Sequence, residues 1–328
     1  MFDYTVKRLL LAVPTFMGIT LITFAVVHLA PGDPAQRQLA GIADADMSIR
    51  VYEQLRAYWG LDQPIVLQYL RWLGRLLTLD FGQSFFDHRP VVDKIAERLP
   101  WTLALAIPSL LLGLAVAIPV GAYSAYRRHG WFDTVVGTML YGLYSVPNYV
   151  MGMVLIVVVV AVPVAGWPIA GARSDDFAEL TLAGKAVDLV RHFLLIGFCY
   201  TYPALAFQSR FVRGNMLEVL RQDYIRTAQA KGLGGFTVVA RHAFGNTLVP
   251  LVTMVGLIFP SVVSGSVILE YMFNWPGIGR LFFEAVTQRD YPTVMALSVI
   301  TAVMVQLGTL LADLAYAWVD PRIRYGES

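Results

Sequence analysis

Charge is what this chain most lacks. Only 15% of its 328 residues are Asp, Glu, Lys or Arg, while 57% are hydrophobic; a soluble domain usually carries about 25% charged residues. The deficit, together with long uncharged runs, points to an integral membrane protein. A formal net charge of +2, with no dense Lys/Arg cluster, argues against nucleic-acid binding. There is one cysteine, Cys199, inside an apolar run. It excludes an intramolecular disulfide, and a thiolate metal site needs more ligands, so it reads as a small core hydrophobe.

Catalytic motifs are also missing. The chain has no G-x-x-x-x-G-K-[ST] phosphate loop, no H-E-x-x-H and no G-x-S-x-G elbow. His28, His88, His129, His192 and His242 are scattered without metal-ligand spacing. Within the apolar runs ionisable residues are nearly absent; Glu270 and Asp313 lie close to run ends. An intramembrane enzyme or a proton relay needs such groups at depth. The chain is therefore expected to be no enzyme, to hold no metal or cofactor, and to be a transporter energised from outside itself. The alternative is an ion-gradient-driven secondary transporter working without ATPase subunits.

What is present is hydrophobic length. Six apolar segments stand at roughly 9–29, 101–124, 133–161, 192–208, 248–270 and 293–318. Lys7 and Arg8 ahead of the first run resemble a signal peptide, but the run is long enough to span, and His28 and Pro31 suit no cleavage site. Pro108, Pro119, Pro147, Pro203 and Pro260 fall inside the segments. The short loops on one side hold Lys7, Arg8, Arg127, Arg128, Arg210, Arg213, Arg221, Arg226, Lys231, Arg241, Arg322 and Arg324. By the positive-inside rule both termini are cytoplasmic, with an even number of spans.

The expected fold class is an all-α integral membrane protein with six transmembrane helices and an extracytoplasmic helical domain between the first and second. The parts are 1–29, the cytoplasmic N-terminus and first span; 30–100, the outer helical domain; and 101–328, a core of five spans with a cytoplasmic loop at 209–247. In the outer domain Val51, Leu55, Tyr58 and Trp59, then Leu67, Leu70, Leu73, Leu76 and Leu77, recur at helical spacing, punctuated by Gly60 and Pro64. Asp33 and Asp80 there suit turn or cap chemistry, or contact with a delivering partner.

The loop at 209–247 contains RTAQAKGLGGF, Arg226 to Phe236. Met216 to Lys231 reads as one amphipathic helix through Leu217, Leu220, Tyr224 and Ala228, ended by Gly232. A second short helix is expected near 236–244. Small residues at Ala228, Ala230 and Gly232 allow a partner to approach the backbone, and Arg226 and Lys231 offer charge. A basic helix lying on the membrane surface fits equally well. Among polar residues inside spans, Tyr144, Ser145, Asn148 and Tyr149 surround Pro147; Tyr200, Tyr202, Ser261, Ser264 and Ser266 lie in later spans. They line a wet path or bond helix to helix.

At these residues the chain resembles the permease subunit of binding-protein-dependent ABC importers, in the dipeptide/oligopeptide, nickel-related branch. That family carries an E-A-A-x-x-x-G loop and a later closing proline. Here Arg226, Thr227 and Ala228 stand at the E-A-A position, Gly232 is the glycine and Pro250 the proline, with Arg226 replacing the acid and a longer gap to Pro250. Further matches are Ala30 to Pro34, Gly60 to Pro64, Asp80 to Ser84, Phe273 to Gly279, Arg289 to Pro292 and Val319 to Arg322.

The resemblance implies an ABC type I importer permease fold and a coupling helix built from Arg226, Thr227, Ala228, Ala230, Lys231 and Gly232, with Pro250. It implies a second homologous permease subunit, two cytoplasmic ATPase subunits that bind ATP and Mg, and an extracytoplasmic substrate-binding protein, in the cytoplasmic (inner) membrane of a bacterium or archaeon. Tyr144, Ser145, Asn148, Tyr200, Tyr202, Ser261 and Ser264 are the candidates for its translocation path.

Overall fold

The computed structural model describes residues 2–29, 35, 45–162 and 166–319; for 2–9, 45–48, 236, 240–242, 248–249, 253, 257, 259–264 and 311–319 it describes the backbone alone. Among the described residues the structure is helical without a strand; its one β-bridge joins Gln83 to Pro90. Leu10–Leu29, Val91–Tyr126 and Tyr291–Leu310 are long and apolar enough to cross a membrane. They belong to helices α1 (Phe2–Leu29), α4 (Val91–Tyr126) and α13 (Tyr291–Val319). A fourth crossing is added if α5 (Trp131–Tyr144) and α6 (Asn148–Ala161), bent by 93° at their junction, form one broken span.

The centre of the fold is the pairing of α4 with α7 (Leu182–Val219). On α4 the buried residues Ser109, Gly113, Ala117, Gly121 and Ala125 recur every fourth position. Small residues at this spacing let two helix backbones approach closely where lipid provides no hydrophobic drive between them. The approach is tightest at Gly121, where a Cβ would meet the Ser209 carbonyl and lie 2.8 Å from Val212 Cβ. Around this seam, Leu105, Ile196, Cys199, Leu269, Phe273 and Trp275 cluster at one end. Ala125, Val212, Met216, Ile225, Ala228, Val238, Leu251 and Met254 cluster at the other.

Two amphipathic helices, α2 (Ala45–Trp59) and α3 (Ile65–Leu77), precede α4 and are separated at Gly60, whose φ is +70°. Aromatic residues tie α3 to α1 and α13: Tyr69 and Trp72 pack on Phe24, Val27 and Met295. Thr20 Oγ1 and Tyr69 Oη share a hydrogen bond of 3.1 Å, and His28 Nε2 lies 3.2 Å from Gln68 Oε1.

Several segment boundaries differ from the sequence expectation. The second segment begins ten residues early, because the helix opens at Val91 and carries Pro100, Pro108 and Pro119 within it. The fourth is not short: its helix runs 38 residues, with charged ends that hydropathy discounts. Arg210 and Arg213 are thus in α7, not in a loop. The third segment breaks because Pro147 lacks an N–H and disfavours the helical conformation for Val146.

The expected helix from 216 to 231 is two. After Val219 the backbone tightens through i to i−3 bonds at Arg221 and Gln222, and α8 (Asp223–Ala230) starts anew. A short turn α9 (Gly235–Thr237) and a π-helical turn (Val238–Ala243) then lead into α10 (Phe244–Ser264). That helix stops before the expected limit of 270. Gly265 adopts φ +67°, and a short α11 (Val267–Met272) turns toward α12 (Ile278–Gln288).

Candidate functional site

The segment Arg221 to Gly235 forms a knob anchored on one side only. Ile225 and Ala228 are buried in the cluster with Val212, Met216 and Val238. Arg226, Thr227, Ala230, Lys231 and Gly232 are exposed, and Pro250 is half-buried. Ala228 therefore faces the core, at 6% exposure, and is an anchor instead of a contact for a partner. The inward face also differs from the sequence reading, since Tyr224 is 44% exposed. Gly232 ends α8 with φ +79°; its N–H donates to the Gln229 carbonyl at 2.9 Å. Left-handed glycine at this position is a common helix stop. A Cβ on Gly232 would meet nothing within 4 Å, whereas one on Gly235 would lie 2.6 Å from Tyr126 Oη.

Beside the knob, Arg213 on α7 grips Asp133 at the start of α5. Arg213 Nε donates to Oδ1 at 2.6 Å and Nη2 to Oδ2 at 2.7 Å. The His129 N–H donates to the same carboxylate at 3.0 Å. Fork-on-fork pairing of this kind fixes geometry as well as charge. Eighty positions separate the two residues, and no local spacing announces the pair.

The candidate path residues separate into two groups. Tyr144 and Ser145 are exposed and Asn148 is half-buried, all at the break between α5 and α6. Tyr202 is 2% exposed, and its hydroxyl donates to the Val146 carbonyl at 2.6 Å. It satisfies the backbone group freed by the break. Tyr200 is half-buried and donates to Glu270 Oε1 at 3.2 Å. The side chains of Ser261 and Ser264, like that of Asp313, lie outside those described. Sequence reasoning missed Arg210, whose guanidinium carbon sits 3.9 Å from the Tyr141 ring centroid; a cation at the end of an apolar run was the available signal.

At the opposite end of the helices, Glu270 is fully buried. It accepts from the N–H groups of Ser266 at 3.3 Å and Arg280 at 3.2 Å. Trp275 Nε1 donates to the Trp101 carbonyl at 3.0 Å, and the Ile278 N–H to Thr102 Oγ1 at 2.7 Å. The Trp275 to Gly279 loop is thus a fixed turn against α4. Nearby, Asp290 accepts from Ser84 Oγ at 2.6 Å, the Phe85 N–H at 2.8 Å and Thr293 Oγ1 at 2.6 Å. Lys94 reaches Ser84, Asp87 and Asp290 together, at 3.0, 3.0 and 3.5 Å. Burial pushes the Asp87 carboxyl up, but bonds to Lys94 and Ser84 outweigh it and hold the group below its ordinary value. Asp80 caps its own turn through the Gly82 N–H at 2.9 Å; Asp33 lies outside the described residues.

Asp188, at the opening of α7, ties down the preceding loop by accepting from the Ser174 hydroxyl and from its N–H at 3.0 Å. Burial raises this carboxyl; the Ser174 bonds and the charges of His192 and Arg191 bring it below the ordinary range. Among the described residues no group of three or more His, Cys, Asp or Glu could hold a metal ion.

Residues 117–325 match the family described as "Binding-protein-dependent transport system inner membrane component". Residues 1–106 match the N-terminal family of the same membrane components. The chain is 40% identical over 324 residues to the oligopeptide transport system permease protein AppB of Bacillus subtilis, covering 98% of this chain and 99% of that one. It is 39% identical to the dipeptide transport system permease protein DppB of Escherichia coli K12, covering 99% of each. To the glutathione transport system permease protein GsiC of the same strain it is 35% identical, over 99% of this chain and all of that one. These relatives are transport subunits and not enzymes, and nothing in them favours a gradient-driven transporter. The chain belongs to the inner-membrane permease components of binding-protein-dependent ABC transport systems.

Proposed function

We propose that this chain is one half of the translocation path of an ATP-driven importer for di- and oligopeptides. The observation that carries the reading is similarity along nearly the whole chain to permeases named for oligopeptide, dipeptide and glutathione transport. A second, homologous permease completes the path. Two cytoplasmic ATPases bind ATP and Mg, and an extracytoplasmic binding protein delivers the peptide. The chain crosses the membrane six times, through α1, α4, the broken pair α5–α6, α7, α10 and α13. Both termini are cytoplasmic, and residues 30–100 form an outer domain ahead of the core 101–328.

In this reading α8 is the coupling helix. Arg226, Thr227, Ala230, Lys231 and Gly232 meet the ATPase, Ala228 anchors the helix from behind, and Pro250 begins the span that follows. ATP binding draws the ATPases together, and a rigid docked element transmits that movement to the spans. Tyr144, Ser145 and Asn148 stand along the path at the broken span.

Tagged purification in mild detergent tests this. A second permease and ATPase subunits are expected in the eluate, and are lost when Arg226 to Gly232 is scrambled with membrane insertion retained. A chain that purifies alone in several detergents overturns the assignment.

A further inference from the structure

Among the described residues Arg210 is a cation with no anion. It is exposed on α7, and its guanidinium stacks on the ring of Tyr141 from α5. Stacking uses only the face of the guanidinium; its N–H donors lie along the edge. Those donors have no acceptor among the described residues. Three residues on, Arg213 shows the contrast, since both arms of its fork are taken by Asp133.

The direction of the Arg210 side chain makes the free charge informative. Arginines near the end of a span usually extend toward the headgroups. Arg210 does the reverse. Its stacking partner Tyr141 lies ten residues into α5 from Trp131, about 15 Å along the helix at 1.5 Å per residue. Asp133, which holds Arg213, lies only two residues in. In the six-span reading Arg210 is therefore turned toward the broken end of α5 and away from the headgroup side at Trp131, held there by an aromatic ring.

The same face of α5 is polar along its length. Thr134, Thr138, Tyr141 and Ser145 follow i, i+4, i+7, i+11 spacing and are all exposed. The three hydroxyls of Thr134, Thr138 and Ser145 donate to the carbonyl four residues back, so lipid would tolerate them. It would not tolerate an unpaired guanidinium beside them, and an ionisable group within a span marks a functional path. The edge of that guanidinium matches a carboxylate in two-point geometry. Every unmodified linear peptide carries such a group at its C-terminus.

We propose that Arg210, held by Tyr141, receives the C-terminal carboxylate of the peptide cargo as it passes through the path. This rests on the peptide reading above. A single solvent-facing ion pair suits passage, because a transport site must bind well enough to admit the cargo and loosely enough to release it.

The test uses the assembled complex of both permeases and both ATPases in proteoliposomes, with binding protein loaded with radiolabelled dialanine. Uptake and ATP hydrolysis are measured for the parent and for Arg210→Lys, Arg210→Gln and Arg210→Glu. Uptake is expected to fall in that order, with Arg210→Gln reduced about tenfold or more, while ATP hydrolysis stimulated by loaded binding protein stays within about twofold. Tyr141→Phe keeps the ring and retains uptake; Tyr141→Leu loses part of it. Parent-like dialanine uptake in Arg210→Gln overturns the inference and leaves the peptide reading standing. Uptake and ATP hydrolysis lost together, with poor recovery of the assembled complex, assigns Arg210 to subunit assembly and also overturns it. A parent complex that takes up no peptide at all defeats the peptide reading, and the inference with it.

Discussion

Ser84 Oγ donates to Asp290 Oδ2 at 2.6 Å across 206 positions of sequence. The bond joins the segment ahead of α4 to the residue just before α13. Asp290 is 1% exposed and also holds Thr293, the Phe85 N–H and the Lys94 ammonium. A buried charge is tolerated because each oxygen is bonded. Two stretches far apart in sequence, 84–94 and 290–293, thus share one carboxylate.

Replacing Asp290 by Ala removes the acceptor of Ser84, Thr293 and the Phe85 N–H, leaves Lys94 with Asp87 alone as its carboxylate, and is expected to cost about 1–3 kcal/mol. Thermal unfolding of the detergent-solubilised chain measures it. Adding Lys94→Met to Asp290→Ala should recover part of the loss, since two partners in one network do not add independently. Strict additivity would show that the network is not a unit.

The α4–α7 seam depends on the missing side chain at Gly121. Gly121→Leu places its Cβ against the Ser209 carbonyl and Val212 and should destabilise by about 1–3 kcal/mol. Gly18→Leu on α1, where a Cβ meets nothing within 4 Å, should change stability by no more than about 0.5 kcal/mol. The thermal shift between the two variants reads the difference directly.

At Gly232 backbone and surface effects can be separated. Asparagine accepts the left-handed conformation better than other residues, so Gly232→Asn preserves the end of α8 while adding bulk to its exposed face. Gly232→Val adds bulk and strain of about 1–2 kcal/mol. If the face docks an ATPase, both variants insert normally and both lose ATP-driven uptake. Uptake lost in Gly232→Val alone would assign the glycine to chain geometry only.

Tyr202→Phe removes the donor to the Val146 carbonyl. An unsatisfied buried acceptor costs about 1–3 kcal/mol. The expected result is a lowered unfolding temperature with peptide specificity unchanged, checked by comparing uptake of several dipeptides.

Asp188 gives a pH dependence. Its folded value is depressed, so its stabilising effect is present at neutral pH and is lost as pH falls below the ordinary carboxylate range near about 4. Limited proteolysis should cut the loop around Ser174 faster on acidification. Asp188→Asn should be cut faster already at neutral pH, with a flatter pH profile. Equal cleavage of parent and variant across the range would count against the tether.

Much of this fold was legible in sequence because hydropathy and turn chemistry act locally. The apolar runs at 9–29 and 293–318 lie within α1 and α13, and Gly60 and Gly232 end helices where their conformational freedom is needed. The 93° break is a different case. Pro147 marked a place of strain, but the bend is completed by Tyr202, more than fifty positions away. The same holds for the site. Exposed Arg226 and Lys231 followed from helical spacing, whereas Ala228 turned inward because α8 starts anew at Asp223, which changes its phase. Arg213 with Asp133 and Arg210 with Tyr141 are pairings between helices, and a single chain carries no record of which faces will meet.

Helix α7 spans 38 residues without interruption, about 57 Å at 1.5 Å per residue, nearly twice the roughly 30 Å of hydrocarbon in a bilayer. In the six-span reading it is a beam longer than the wall it passes through. One end carries the Asp188 tether, and the other carries the Arg213 clamp next to α8. A tilt of about 2° around its midpoint moves the two ends about 1 Å in opposite directions. On such a beam, closing one mouth of a passage and opening the other are the same displacement.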